Sequence, residues 1–378
     1  MKIAIAIDSF KGSLSSTEAG EAAAAGIKQI YPNAEIDIIP LADGGEGTVR
    51  ALAAGKNSAL RKVQVTDPLG RKIQAEYCIT NGTAVIEMAA AAGITLLKSS
   101  ELDPMKTTTY GVGELIAHAI SEGCHNFIIG IGGSATNDGG SGMLQALGFG
   151  LLDKNGKQIP LGAEGLAYLD RISADNVLPE LCKCRFRAAC DVTNVLCGDK
   201  GCSAVFAPQK GASPEAVEIM DKLLYDYSEK AKILYPYSDR NSPGAGAAGG
   251  LGFALKTFLN AELASGVKII LEETDFENRL KGADILVTGE GRLDYQTVMG
   301  KAPCGAAQLA QKHNIPVIAF SGCIGDNASL CNENGIDAFF PILRSISTLD
   351  EALDKDNAAK NLADTTEQAF RLIKRIHK

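Results

Sequence analysis

Five glycines fall within the eleven residues Gly130 to Gly140, GIGGSATNDGG, directly after the apolar run Phe127-Ile128-Ile129. An apolar run, a glycine-rich stretch and then SGMLQALGF reads as strand, loop and helix. Glycine lets a backbone pass close to a bulky anion. Loop amides and the helix N-terminus can then donate to phosphate oxygens. Ser134, Thr136, Asn137 and Asp138 add hydroxyl, amide and carboxylate groups to the same loop. The plain alternative is a tight strand-to-helix turn without a ligand. Against it stands the recurrence of similar loops elsewhere in the chain.

The first of these follows KIAIAID (2–8), a continuous apolar run of the kind a buried parallel strand needs. The loop SFKGSLS leads into an alanine-rich helix to about Ile30, for which Ser15 and Glu18 form a capping box. A second strand, Ile36 to Leu41, runs into Ala42-Asp43-Gly44-Gly45-Glu46-Gly47-Thr48 and a helix stopped by Gly55. Residues 60–88 change texture. They read as short antiparallel strands with turns at Asp67-Pro68-Leu69-Gly70 and Asn81-Gly82. Helices are expected near 89–97 and 109–122, and a strand over RFRAACDV (185–192) that ends at Asp191. Ser213 caps a helix with Pro214 in its first turn, running to about Leu234. PGAGAAGGLG (243–252) is a second major glycine-rich loop. After Gly282, strands Ile285–Thr288, Val317–Ser321 and Phe339–Leu343 alternate with helical segments, the last spanning 349 to 376.

Two βα units alone make too small a sheet, and the tail supplies three more strands. The fold expected is therefore α/β, with a parallel flavodoxin- or Rossmann-like domain built from both chain ends. Residues 1–58 and 283–378 form that domain, 59–282 an inserted second α/β domain, and the ligand cleft lies between them. In open parallel sheets, ligands bind at the carboxyl ends of strands.

Net charge is −8, which argues against a nucleic-acid or anionic-membrane surface. The ten cysteines include no C-x-x-C pair, so a zinc site is not expected and free thiols in a reducing cytoplasm are. KIAIAID is too short for a signal-peptide core, and no apolar stretch reaches the ~18 residues of a membrane span.

Charged residues cluster at these strand ends: Asp8, Lys11, Asp43, Glu46, Asp138, Asp191, Lys210, Glu290, Arg292, Asp294 and Lys301. Each alone reads as a solvated or structural charge; together they match the needs of phosphoryl transfer. That chemistry wants donors around phosphate, a carboxylate-held metal and a group that positions the acceptor hydroxyl. TGEGRLDYQTVMGKAP (288–303) is densest: Arg292 could clamp an anion, Lys301 adds a point charge, and Glu290 or Asp294 could hold magnesium. A structural ion-pair network is the competing account. No Walker A is present, since Tyr295 and Ala302 break the pattern around Gly300-Lys301. Gly244, Gly246 and Gly249 match G-x-G-x-x-G without a preceding strand, which disfavours a nicotinamide site. His118, His125, His313 and His377 lie outside the loops, and no G-x-S-x-G elbow exists, so the base is expected to be a carboxylate.

These residues resemble the bacterial glycerate kinase family. DSFKGSLS (8–15), LADGGEGT (41–48), GIGGSATNDGG (130–140), CDVTN (190–194), APQKGA (207–212), PGAGAAGGLG (243–252) and TGEGRLDYQT (288–297) match its pattern in order. Val195 and Ala207 depart from it beside the main polar groups. The resemblance spans nearly the whole chain. It implies ATP-dependent phosphorylation of D-glycerate with Mg2+ in a two-domain protein, and is nearest the branch that makes 2-phosphoglycerate.

On that basis Gly132, Gly133, Ser134, Asn137, Asp138, Lys210, Gly246 and Gly249 are expected to hold ATP. Asp8, Ser9, Lys11, Asp43, Arg292 and Asp294 are expected to bind the acid, with Lys11, Arg292 and Asp191 catalytic and Asp191 and Glu290 as metal ligands. Asp191 would take the acceptor proton or orient the hydroxyl. No nucleic-acid or membrane partner is expected, and the chain is read as a monomer or homodimer. Two rivals stay open: a kinase of another hydroxyl or another small hydroxy acid, and a non-catalytic nucleotide-binding sensor.

Overall fold

The structure, a computed structural model, describes residues 1–42, 44–45, 47–53 and 58–376, without the side chain of Arg50. Asp43, Glu46, the expected helix stop Gly55 and His377 lie outside the described residues. The chain divides into two compact units. One comprises Met1–Asp43, Arg50–Gly55 and Val267–Lys378, the other Gly44–Val49 and Lys56–Gly266.

The first unit is built on a five-stranded, all-parallel sheet. Its strand order is Ala338–Pro341, Val317–Ile324, Ile285–Leu293, Lys2–Ile7, Glu35–Ile38. Side chains alternate across it. Ile3, Ile5, Ile7 and Val287 face a core formed with the helices Ser16–Ile30 and Lys355–Ile376. Ala4, Ala6 and Leu286 face the opposite core, shared with the helix Ala302–Lys312. Burial of both faces explains why KIAIAI is continuously apolar. The capping box forms as expected: Ser15 Oγ accepts from Glu18 N, and the Glu18 carboxylate accepts from Ser15 N. Ser16 Oγ donates to Ile7 O at 2.6 Å and accepts from Leu41 N at 2.9 Å, tying the ends of the first two strands together.

Several element bounds differ from expectation. The tail helix is two helices, Leu349–Leu353 and Lys355–Ile376. Asp354 is extended between them, and its Oδ1 accepts from Asn357 N, so it caps the second. The strand expected to stop at Thr288 continues to Leu293, which puts Glu290 and Arg292 on a strand rather than in a loop. The helix expected over 89–97 shrinks to Ala89–Ala92 and a 3-10 turn Ile94–Leu96, because Gly93 between them is extended.

The second unit holds a mixed six-stranded sheet, ordered Glu262–Ala264, Arg185–Ala189, Asn126–Gly130, Thr83–Glu87, Lys72–Thr80, Ser58–Thr66. The first four run parallel, and the last two extend the sheet as antiparallel hairpins. Asn81-Gly82 makes the expected two-residue turn between the paired Thr80 and Thr83, with φ of 47° and 81°. The strand RFRAA ends at Ala189, two residues before Asp191. Pro214–Leu234 is capped by Ser213 as expected.

Candidate functional site

In the second unit the strand Asn126–Gly130 delivers the chain into the glycine-rich loop, which leads to the short helix Ser141–Ala146. The loop has an open front and a buried back. Gly132 and Gly133 are exposed and Ser134 half-buried, whereas Thr136, Asn137 and Asp138 have no exposed surface.

The back is a set of side-chain braces. Asp138 Oδ2 accepts from Thr109 N, Thr109 Oγ1 and Gly142 N, and its Oδ1 accepts from Gly140 N. Burial raises the Asp138 carboxyl above the ordinary carboxylate range, and those four donors oppose the rise. Asn137 Nδ2 donates to Ser203 Oγ at 2.8 Å. Lys210 is 2% exposed, and its ammonium donates to Ser134 Oγ and Thr136 O, each at 2.7 Å. Desolvation lowers its pKa to about 8.

The second glycine loop packs behind the first. Gly249 O accepts from Gly139 N, and a Cβ on Gly249 would sit 2.0 Å from Thr136 O. Its φ of +65° is also one that glycine alone adopts at little cost. Gly246 N donates to Asn194 O, and a Cβ there would meet Val195 O at 2.2 Å. Asn137, Asp138, Lys210 and Gly249 therefore shape the loop from inside, while Gly246 packs against Asn194 and Val195. Of the residues expected to touch nucleotide, Gly132, Gly133 and Ser134 are the ones that open to solvent. Asp191, past the end of its strand, is exposed, and its Oδ1 accepts from Gly266 N at 3.2 Å.

In the first unit a cavity of about 260 Å³ lies at the carboxyl ends of the first and third chain-end strands. Asp8, Ser9, Lys11, Glu290, Gly291, Arg292 and Lys301 line it. Asp8 N donates to Gly289 O, and the Asp8 carboxylate accepts from Ser9 N at 2.7 Å. Arg292 Nε lies 3.1 Å from Asp294 Oδ2. Asp294 is buried and also accepts from Gln296 N. It pairs with Arg292, which lines the cavity. Glu290 accepts from Thr297 Oγ1 at 2.6 Å and from Lys301 Nζ at 3.3 Å. Burial raises its pKa, while Thr297 and Lys301 pull it back. Each Glu290 oxygen accepts from one of these donors. Among the described residues, no group of three or more His, Cys, Asp or Glu side chains is placed to hold a metal ion.

The sequence model of the glycerate kinase family matches residues 3–374. The chain belongs to the glycerate kinase family. Within it, the chain is 46% identical over 372 residues to Glycerate 2-kinase of Escherichia coli (strain K12), covering 97% of this chain and 98% of that one. It is 44% identical to Glycerate kinase of Bacillus subtilis (strain 168), over 99% and 98% of the two chains. The crystal structure of a Salmonella typhimurium LT2 protein assigned as glycerate kinase 2 superposes with a TM-score of 0.92 at 42% identity, covering 100% of this chain and 99% of that one.

Two groups of this glycerate kinase family site escape sequence reasoning. Thr109 sits in a run of three threonines before a helix, and nothing local ties that run to Asp138. Thr297 lies inside TGEGRLDYQT, where the charges draw attention and the hydroxyl does not.

Proposed function

We propose that this protein transfers the γ-phosphoryl group of ATP to the 2-hydroxyl of D-glycerate, giving 2-phosphoglycerate and ADP. The reading is carried by the first-unit cavity. Lys11, Arg292 and Lys301 line it together with Asp8, in a volume that suits a three-carbon acid. The cations favour a carboxylate, and Asp8 can accept from a substrate hydroxyl. The E. coli relative's name supports the choice of the 2-hydroxyl.

ATP phosphates lie on the exposed front of the glycine loop, at the amides of Gly132 and Gly133 and the Ser134 hydroxyl. Asp191 takes the acceptor proton or orients the hydroxyl. An alcohol is far less acidic than a carboxylic acid, so transfer to Asp191 comes late, as the oxygen–phosphorus bond forms. Magnesium bound with ATP would neutralise phosphate charge. A hard cation held largely by substrate oxygens needs one or two protein carboxylates, and exposed Asp191 fits that demand. A cytoplasmic setting is supported by ten free thiols. No helix among the described residues is long and apolar enough to cross a membrane.

Phosphorus NMR of the product formed from D-glycerate, ATP and Mg2+ tests the reading. A 2-phosphoglycerate resonance is expected. A 3-phosphoglycerate resonance would overturn the regiochemistry. ATP binding without ADP release on any small hydroxy acid would overturn the enzyme.

A further inference from the structure

We propose that Lys210 is a positioning residue for ATP: by donating to Ser134 Oγ it turns the Ser134 O–H outward, to the side of the loop where the phosphates bind. This rests on the ATP site proposed above.

The geometry is directional. An ammonium donates and cannot accept. With Lys210 Nζ 2.7 Å from Ser134 Oγ, one serine lone pair is committed inward and the serine proton must point elsewhere. Ser134 is half-exposed beside exposed Gly132 and Gly133, so that direction is the open front of the loop. The second lysine bond, to Thr136 O at 2.7 Å, fixes the ammonium against the buried back. Lys210 is itself sealed, so its charge reaches the phosphates through the hydroxyl it polarises.

A buried lysine is costly, and an apolar side chain would fill its place with less penalty. Its two hydrogen bonds to the loop, to Ser134 Oγ and Thr136 O, point to a use beyond packing. Cys202, from the helix Cys202–Phe206, and Asp138, from the loop, act on the ammonium and favour its charged form. Asp138 in turn adds to the rise that burial imposes on the Tyr227 phenol, from the helix Pro214–Leu234. Desolvation of the Lys210 ammonium outweighs Cys202 and Asp138 and brings its pKa to about 8. Once deprotonated, the amine carries a lone pair. The Ser134 O–H can then swing inward to donate to it, and the outward donor is lost. ATP binding should therefore weaken as pH rises through this range.

The test uses the full chain. The Kd for ATP is measured calorimetrically from pH 6.5 to 9.5 for the wild type, Ser134→Ala and Lys210→Arg, alongside KM and kcat with D-glycerate. We expect wild-type Kd to rise roughly tenfold across the range, as one charge-assisted donor is withdrawn. Ser134→Ala should bind about tenfold more weakly at pH 7, with the alkaline rise abolished, and should raise KM for ATP more than it lowers kcat. Lys210→Arg should stay flat to pH 9.5, because a guanidinium keeps its proton. Wild-type affinity in Ser134→Ala, or an alkaline rise that survives in it, overturns the proposal. Ser134→Ala alters a half-exposed hydroxyl, so it decides the matter even if Lys210→Arg does not fold. Failure of D-glycerate phosphorylation in the wild type would sink the kinase reading and leave this binding experiment to stand or fall separately.

Discussion

Asp138 accepts both the amide and the hydroxyl of Thr109, at 2.8 and 2.9 Å, with no surface open to solvent. Two segments some thirty residues apart in sequence are fastened through one carboxylate, which also ties down Gly140 and Gly142. Asp138→Ala would strand several buried donors. The expected loss is about 3 kcal/mol or more, read as a lower urea midpoint with an unchanged slope. Asp138→Asn keeps one acceptor oxygen and should lose less. Equal stability of wild type and the alanine variant would show that this carboxylate braces nothing.

The approach of the two glycine loops sets up a contrast between two glycines. At Gly249 a Cβ would collide with Thr136 O at 2.0 Å, and the backbone has φ +65°. At Gly123 φ is +88°, but nothing lies within 4 Å of the added atom. Gly249→Ala should cost about 4 kcal/mol or more, combining strain with overpacking, and should abolish ATP binding by displacing the loop. Gly123→Ala should cost only the conformational term, about 1–2 kcal/mol. Thermal unfolding of the pair separates the two contributions. Similar melting temperatures would mean that the loops do not need their close contact.

Much of this architecture can be read from residues, and the reasons are local. KIAIAI reads as a buried parallel strand because both its faces are covered. Ser15 with Glu18, Ser213 with Pro214, and Asn81-Gly82 are stop and start signals whose partners lie within three residues. The site was legible as a set of loops but not as a front and a back. Nothing in GIGGSATNDGG says that Ser134 opens outward while Asn137 and Asp138 turn inward. That division depends on Thr109, Ser203 and Lys210, which are distant in sequence. The same holds for Asp294, whose ion pair with Arg292 is visible as D-after-R only once the strand is known to run to Leu293.

Arg292 lines the first-unit cavity with its Nε held by Asp294. If it clamps the substrate carboxylate, Arg292→Leu should raise KM for glycerate by about 10- to 100-fold and leave KM for ATP nearly unchanged. Arg292→Lys should recover only part of this, because a point charge lacks the planar fork. Steady-state kinetics with each substrate varied in turn provides the check. A rise confined to KM for ATP would move Arg292 to the nucleotide.

The capping box gives a pH dependence unconnected with catalysis. Hydrogen bonding to Lys355, then the Ser15 amide, lowers the Glu18 pKa from 4.5 to about 2. A carboxyl with a depressed folded-state pKa stabilises the fold fully above its unfolded value. That contribution is lost as pH falls from 4.5 towards 2. Because the side chain is 36% exposed, screening reduces the effect to about 1 kcal/mol. Glu18→Gln should be less stable than wild type by that amount at pH 7, with the gap closing below pH 4.5. Paired urea titrations across pH 3 to 7 would reveal a constant gap if the cap has no ionic part.

Asp191 offers the sharpest kinetic test. Its Oδ1 already accepts from Gly266 N, and an asparagine oxygen can keep that bond, so Asp191→Asn changes basicity with little change in position. Loss of a positioned general base costs roughly 10²-fold or more in turnover. We expect that drop in kcat with D-glycerate, with KM for the acid little altered because the Lys11, Arg292 and Lys301 cavity is untouched. Asp191→Glu keeps a carboxylate on a longer arm and should fall between the two. An asparagine variant that turns over at nearly the wild-type rate would exclude proton transfer to this residue. A large rise in KM for ATP with kcat preserved would instead assign Asp191 to holding the nucleotide and its metal.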